Sequence, residues 1–160
     1  MMKNFQTADL CDKFPDLASC VTDFKLFGLR KRFYGKIRTV RCHLDNVLIQ
    51  QLVNMPSNGE VLVIDGHGSR LTALMGDRLA QTAMNNGWAG IIIYGAIRDS
   101  VAINEMDFGI KALGTNPKKS AKVGIGEVDI SVSFGNVVFT PNHYLYSDED
   151  GIIVSESALL

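Results

Sequence analysis

Several things are scarce in this sequence, and each scarcity closes off a class of protein. The three cysteines, Cys11, Cys20 and Cys42, form no CxxC pair and no zinc-ligand spacing. That excludes a disulfide framework and a cysteine-built metal site, and it fits reduced thiols. Charge of either sign is not in excess: 17 Asp and Glu stand against 16 Lys and Arg, for a formal net charge of -1. A direct nucleic-acid partner therefore has no electrostatic basis. The longest apolar run, GIIIYGAI, is far too short to cross a bilayer, and MMKNFQTADLCDK lacks the apolar stretch of a signal peptide. No membrane partner is expected, and the expected location is the cytoplasm. The turns GHGSRL and GIGEVD do not complete a dinucleotide fingerprint between a strand and a helix, so no nucleotide cofactor is expected.

What is present suits a folded core. Of 160 residues, 46% are apolar, enough for one compact domain over residues 1–160. TADLCDKF reads as a short helix capped by Thr7 and ended by Pro15. FYGKIRTVRC reads as a strand, and NVLIQQLVNM as a helix with Val47, Leu48, Leu52 and Val53 on its apolar face. EVLVIDG and GIIIYGA are near-continuous apolar runs, the pattern of strands buried on both faces. Between them, GHGSRLTALMG is a loop, with or without a short strand, and DRLAQTAMNNG is a helix. Leu79, Ala80, Ala83 and Met84 line that helix and Gly87 stops it. EMDFGIKALG is either a short strand or a helix. GEVDISVSFGNVVFTP reads as an antiparallel hairpin about Gly-Asn, and SDEDGIIVSES as a turn and a last strand. The expected fold is α/β, a central parallel βαβ unit with antiparallel additions.

Chain direction makes a prediction about two distant pairs. A strand over 61–65 ends at the carboxyl edge of a parallel sheet, so the helix over 77–86 begins there and runs back. The strand over 90–95 then returns Arg98 and Asp99 to the same edge. The lengths agree: about 15 Å for ten helical residues and roughly 20 Å for six strand residues. Gly76-Asp77 and Arg98-Asp99 are thus expected neighbours, at the edge where open parallel sheets bind ligands.

The residue types there suit a small 2-oxo acid. The first turn of a helix offers unpaired N–H groups to a carboxylate, and Gly76 allows close approach to the backbone. Arg98 offers a forked cation to a carboxylate or keto oxygen. Asp77 and Asp99 offer hard oxygens to Mg²⁺ or Mn²⁺, directly or through metal-bound water. A divalent cation beside an arginine can stabilise an enolate. Each piece also has an ordinary structural reading: an acid at a helix start is favourable by itself, and Arg-Asp after a strand makes a common polar turn. His67, just beyond a strand on this edge, could assist proton transfer or simply hold its loop. Asp65 could support the site from behind or only end its strand. His43 and His143 share no metal spacing and read as structural. Lys118, Lys119 and Lys122 read as a solvated loop, with a subunit contact or an acidic protein partner as the alternative. Trp88 is expected to pack where the helix turns into the strand.

The stretch GDRLAQTAMNNGWAGIIIYGAIRD also carries a family pattern: an Asp, twenty residues, then Arg-Asp. It resembles class II pyruvate aldolases of the 4-hydroxy-4-methyl-2-oxoglutarate type, a family that includes the regulator of ribonuclease activity A. ADLCDKF, VLVIDGHGSRLTALMGD and GIGEVDISVSFGNVVFTPNHYLYSDEDGIIVSE extend the resemblance over nearly the whole chain. The resemblance implies a swivelling β/β/α fold of the phosphohistidine-domain kind, assembled as a homotrimer. It implies cleavage of 4-hydroxy-4-methyl-2-oxoglutarate to two pyruvates, with oxaloacetate decarboxylation through the same pyruvate enolate. The backbone of Gly76, Asp77, Arg78 and Leu79 would hold the pyruvyl carboxylate. Arg98 would bind substrate and the enolate oxygen, Asp99 would ligate the metal, and Asp77 would hold metal-bound water. The family's regulators instead bind and inhibit ribonuclease E and commonly lack the acid after the arginine, which this chain keeps. Larger aldolases borrow an acid from a neighbour's C-terminal extension. With Leu160 the last residue here, the group that moves the C4 hydroxyl proton is not identified.

Overall fold

The computed structural model describes residues 3–160. In chain order the elements are α1 (Thr7–Lys13), β1 (Ala18–Ser19), β2 (Lys25–Phe27), β3 (Phe33–Arg41), α2 (Val47–Val53), β4 (Val61–Asp65), β5 (Ala73–Met75), α3 (Asp77–Asn85), β6 (Gly90–Ile97), α4 (Ser100–Asn104), β7 (Ile110–Thr115), β8 (Glu127–Val128), β9 (Val132–Phe134), β10 (Val137–Phe139), β11 (Tyr144–Asp148) and β12 (Gly151–Ser155). One sheet runs β1-β12-β11-β3-β4-β6-β7-β2, with β5 added to β6 and β8 to β3. Its centre, β3-β4-β6-β7, is parallel, while β2, β8, β11, β12 and β1 join antiparallel.

The apolar runs become central strands because both faces of the sheet are covered. Successive side chains alternate across a strand, and the two faces of β4 and β6 fill different cores. Leu62, Ile64, Ile91, Ile93 and Ile97 pack with Ile49, Leu52, Ala80, Ala83 and Trp88 beneath the helices. Val61, Val63 and Ile92 pack with Phe134, Val137 and Phe139 from the β9–β10 hairpin. The result is hairpin, sheet and helices in three layers, the expected β/β/α arrangement of a mixed α/β domain. The hairpin turns at Gly135-Asn136 with both residues at positive φ, the conformation a tight two-residue hairpin demands. A third cluster, Phe5, Leu10, Tyr146 and Ile153, seats α1 and the last residues against the curled β11–β12 edge.

Some expectations change. Thr7 is inside α1 and does not cap it. Its N–H and hydroxyl both donate to the buried Asp148 carboxylate at 2.7 Å. On α2, Ile49 is buried where Val47 and Leu48 are only partly so. The segment after β6 adds α4, and the ambiguous EMDFGIKALG contributes β7, a full member of the parallel centre.

Lys111 explains why β7 is hard to read. Its neighbours Ile110 and Ala112 face the helix-side core, while Lys111 lies 3% exposed beneath the β11–β12 turn. Its Nζ donates to the carbonyls of Asp148 and Gly151. Burial pulls its pKa down to about 8, against the opposing charge of Asp148. Between that pH and the ordinary lysine value of 10.5, the unfolded chain binds the extra proton, so stability rises with pH. Each factor of ten in proton affinity is worth about 1.4 kcal/mol, so the full gain is about 3 kcal/mol. Urea unfolding of wild type and Lys111→Met at pH 7.5 and pH 10.5 should show wild type gaining on the variant by that order. Parallel curves would refute a strained ammonium at this position.

Candidate functional site at the carboxyl edge

The site begins with β6 outlasting β4. Pairing between those strands ends at Asp65 opposite Tyr94. The remainder of β6 pairs with β5 in parallel, Ala73 beside Ala96 and Met75 beside Ile97. The Arg98 N–H therefore donates to the Met75 carbonyl at 2.9 Å. That bond sets Arg98-Asp99 directly against Gly76-Asp77 across the twenty residues that separate them.

Helix α3 starts at this junction with no capping side chain of its own, since its N-cap is Gly76. The cap comes from Asp99, whose Oδ2 accepts the Asp77 N–H at 3.1 Å. Asp99 reaches back from a left-handed backbone, φ 60° and ψ 39°, at the start of α4. Arg98 crosses the same spot: its Nε would lie 3.6 Å from a Cβ on Gly76. Its Nη1 approaches the Pro117 carbonyl at 3.5 Å. The first intrahelical bond of α3 is made by the Ala80 N–H to the Gly76 carbonyl. The N–H groups of Arg78 and Leu79 are thus the two first-turn donors beside the one Asp99 has taken. Gly76, Asp77, Leu79 and Arg98 are half-buried, while Arg78 and Asp99 are exposed.

A hard divalent cation fits this donor set. Asp99 keeps Oδ1 beyond its bond to α3, and Asp77 is the first residue of that helix. Among the described residues no group of three or more His, Cys, Asp or Glu converges to hold a metal ion. The set therefore suits a cation that retains water and takes ligands from substrate, as Mg²⁺ does, and not a closed protein cage.

The other candidates sort into near and far. Lys118, Lys119 and Lys122 are exposed as expected. Lys122 Nζ donates to Asn46 Oδ1 at 3.1 Å, and Asn46 Nδ2 donates to the Leu74 carbonyl at 3.1 Å, two residues before Gly76. Sequence reasoning missed this support, because the contact links positions 76 apart. His67 is paired with the residue that follows β3 by two positions: its ring meets His43 edge-on at 5.0 Å. His43 thus has a partner that spacing did not reveal. Asp65 is buried and bonds to Arg41 and the His67 N–H, so it braces β3 and β4. Trp88 packs under the sheet as expected. A cavity of about 790 Å³ opens at the opposite, amino edge, between Tyr34, Trp88 and Tyr144. Gly76, Asp77, Arg98 and Asp99 do not line it.

Comparison with known proteins identifies the family of this chain. A profile of the RraA-like family, described as Aldolase/RraA, matches residues 7–154. The chain belongs to the RraA-like family. A relative from Aromatoleum aromaticum, provisionally named 4-hydroxy-4-methyl-2-oxoglutarate aldolase, is 51% identical over 98% of this chain and 99% of its own. Two solved structures superpose with TM-scores of 0.95. One, described as the S-adenosylmethionine:2-dimethylmenaquinone methyltransferase of Geobacillus kaustophilus, is 47% identical over 97% of each chain. The other, the RNA-processing inhibitor RraA from Thermus thermophilis, is 40% identical and covers 99% of this chain and 96% of its own. Among the described residues of this RraA-like chain, no helix is long and apolar enough to cross a membrane.

Proposed function

We propose that this RraA-like protein is a divalent-metal-dependent class II pyruvate aldolase of the cytoplasm. Its substrate would be 4-hydroxy-4-methyl-2-oxoglutarate, cleaved to two pyruvates, with oxaloacetate decarboxylation as a companion activity. The observation that carries this reading is the bond from the Asp77 N–H to Asp99 at 3.1 Å. It brings the Asp99 carboxylate, with Arg98 before it, to a helix start whose first residue is a second acid. Of the activities named for its relatives, that set best answers the aldolase.

Each residue has a task. The Arg78 and Leu79 N–H groups, with the positive end of α3, hold the substrate's C1 carboxylate. Arg98 holds the keto oxygen and gains strength as that oxygen becomes anionic. Asp99 would hold the divalent cation, which when bound would supply Lewis-acid polarisation of the 2-oxo group. The C4 hydroxyl loses its proton as the C3–C4 bond breaks; one pyruvate leaves and the bonding pair remains in a pyruvate enolate. Protonation at C3 then gives the second pyruvate. Asp77 holds the water that carries the proton between these atoms. We further assign a homotrimer as the working form.

The test is pyruvate release from 4-hydroxy-4-methyl-2-oxoglutarate, coupled to lactate dehydrogenase. Mg²⁺ or Mn²⁺ should support turnover, and EDTA and Asp99→Asn should each abolish it. No release with Mg²⁺, Mn²⁺, Co²⁺ or Zn²⁺ would sink the proposal. A second reading, restraint of ribonuclease E by binding, is favoured by the 40% identity to an RNA-processing inhibitor over almost the full chain. Loss of RNA cleavage on adding this protein to ribonuclease E would support it, and no binding at micromolar concentrations would remove it.

A further inference from the structure

We infer that Gly76 is a positioning residue for Asp99: having no side chain, it admits the Asp99 carboxylate to the start of α3 and so decides which carboxylate oxygen faces a cation. The inference rests on the metal-dependent reading above.

The backbone at Gly76, φ −124° and ψ −166°, is extended and open to any residue. Conformational freedom therefore does not explain a glycine here, and space does. A Cβ at this position would lie 2.5 Å from Asp99 Oδ2, 3.4 Å from Arg98 Cγ and 3.6 Å from Arg98 Nε. These three nearest atoms all belong to the side chains of Arg98 and Asp99, and none belongs to the backbone. A methyl group would take the place that Oδ2 fills. With Oδ2 on the Asp77 N–H, Oδ1 is the oxygen presented to a cation. Gly76→Ala removes no polar atom, yet it drives the carboxylate off its anchor and leaves Asp99 to swing. The Arg78 and Leu79 donors are untouched, so the variant separates cation binding from carboxylate binding. Were the space at Gly76 meant for substrate, the same variant would raise KM and leave cation affinity alone.

The experiment is Mn²⁺ binding without substrate, read from the electron paramagnetic resonance of free Mn²⁺. Full-length wild type, Gly76→Ala, Asp99→Asn and the double variant are compared, with thermal unfolding as the check on folding. Wild type should bind Mn²⁺, and Gly76→Ala should bind about tenfold more weakly. The double variant should bind no more weakly than Asp99→Asn alone, because the two changes act through one carboxylate. Equal affinity of wild type and Gly76→Ala overturns the inference while leaving the metal reading in place. Failure of wild type to bind Mn²⁺ overturns the metal reading itself. Should Gly76→Ala not fold, amide exchange in wild type and Asp99→Gly answers the same question. The Asp77 amide should exchange more slowly than those of Arg78 and Leu79 in wild type and lose that protection in Asp99→Gly, which has no side-chain acceptor; equal rates at all three in wild type overturn the inference.

Discussion

Arg98→Ala is expected to lower kcat for pyruvate release by about 10²–10³-fold, the usual cost of removing a group that stabilises an oxyanion in the transition state. KM should change far less, because the two α3 donors still hold the substrate carboxylate. Stability should hardly move. The Arg98 N–H bond to Met75 at 2.9 Å is a backbone bond that alanine keeps, and the guanidinium gives up only the 3.5 Å approach to Pro117. Arg98→Lys should recover part of the loss at best, since an ammonium keeps the charge but not the planar fork. Steady-state kinetics with saturating Mg²⁺ decides this. A fall of less than about fivefold in kcat would remove Arg98 from the enolate.

Phe33→Ala should be the most destabilising single truncation in the hairpin-side core, at about 3–5 kcal/mol. Phe33 is 0% exposed at the start of β3. Its ring lies on two glycines of neighbouring segments: a Cβ at Gly90 would come within 2.3 Å of it, and one at Gly109 within 2.6 Å. Backbone forms both surfaces under the ring, so they cannot collapse into the space alanine leaves, and most of the cavity persists. Urea unfolding measures the loss. The folded fraction should retain its turnover, because Phe33 sits at the amino edge, a strand's length from Arg98. A loss below about 1 kcal/mol would mean that the hairpin closes over the gap.

Much of the fold was legible because the signals were local or directional. VLVID and GIIIYGAI read as doubly covered strands, and Gly135-Asn136 as a tight turn. Chain direction alone brought Gly76-Asp77 beside Arg98-Asp99. The illegible parts depend on long-range packing. β5 is Ala-Leu-Met, with no β-branched residue, and is a strand only because β6 runs past β4 and needs a partner. β7 carries Lys111 in a buried position and Gly114 near its end, both poor strand signals. Thr7 looked like a cap, but Asp148, 141 residues away, claims it. At the site, the residue types were legible and their division of labour was not. Whether the first N–H of α3 serves a ligand or Asp99 is decided by the Asp99 backbone and side-chain angles, which no spacing encodes.

The left-handed backbone at Asp99 bears on how such a chain can drift. Aspartate, asparagine and glycine sit in that conformation with little penalty, whereas most other side chains, glutamate included, are strained there. Position 99 is therefore filtered twice, once by the turn into α4 and once by any cation that needs a carboxylate. The residues that satisfy the turn but not the cation are each a single base change from an aspartate codon. A copy of this gene released from catalysis could lose the chemistry in one step and keep its shape, along with every surface by which a partner protein would know it.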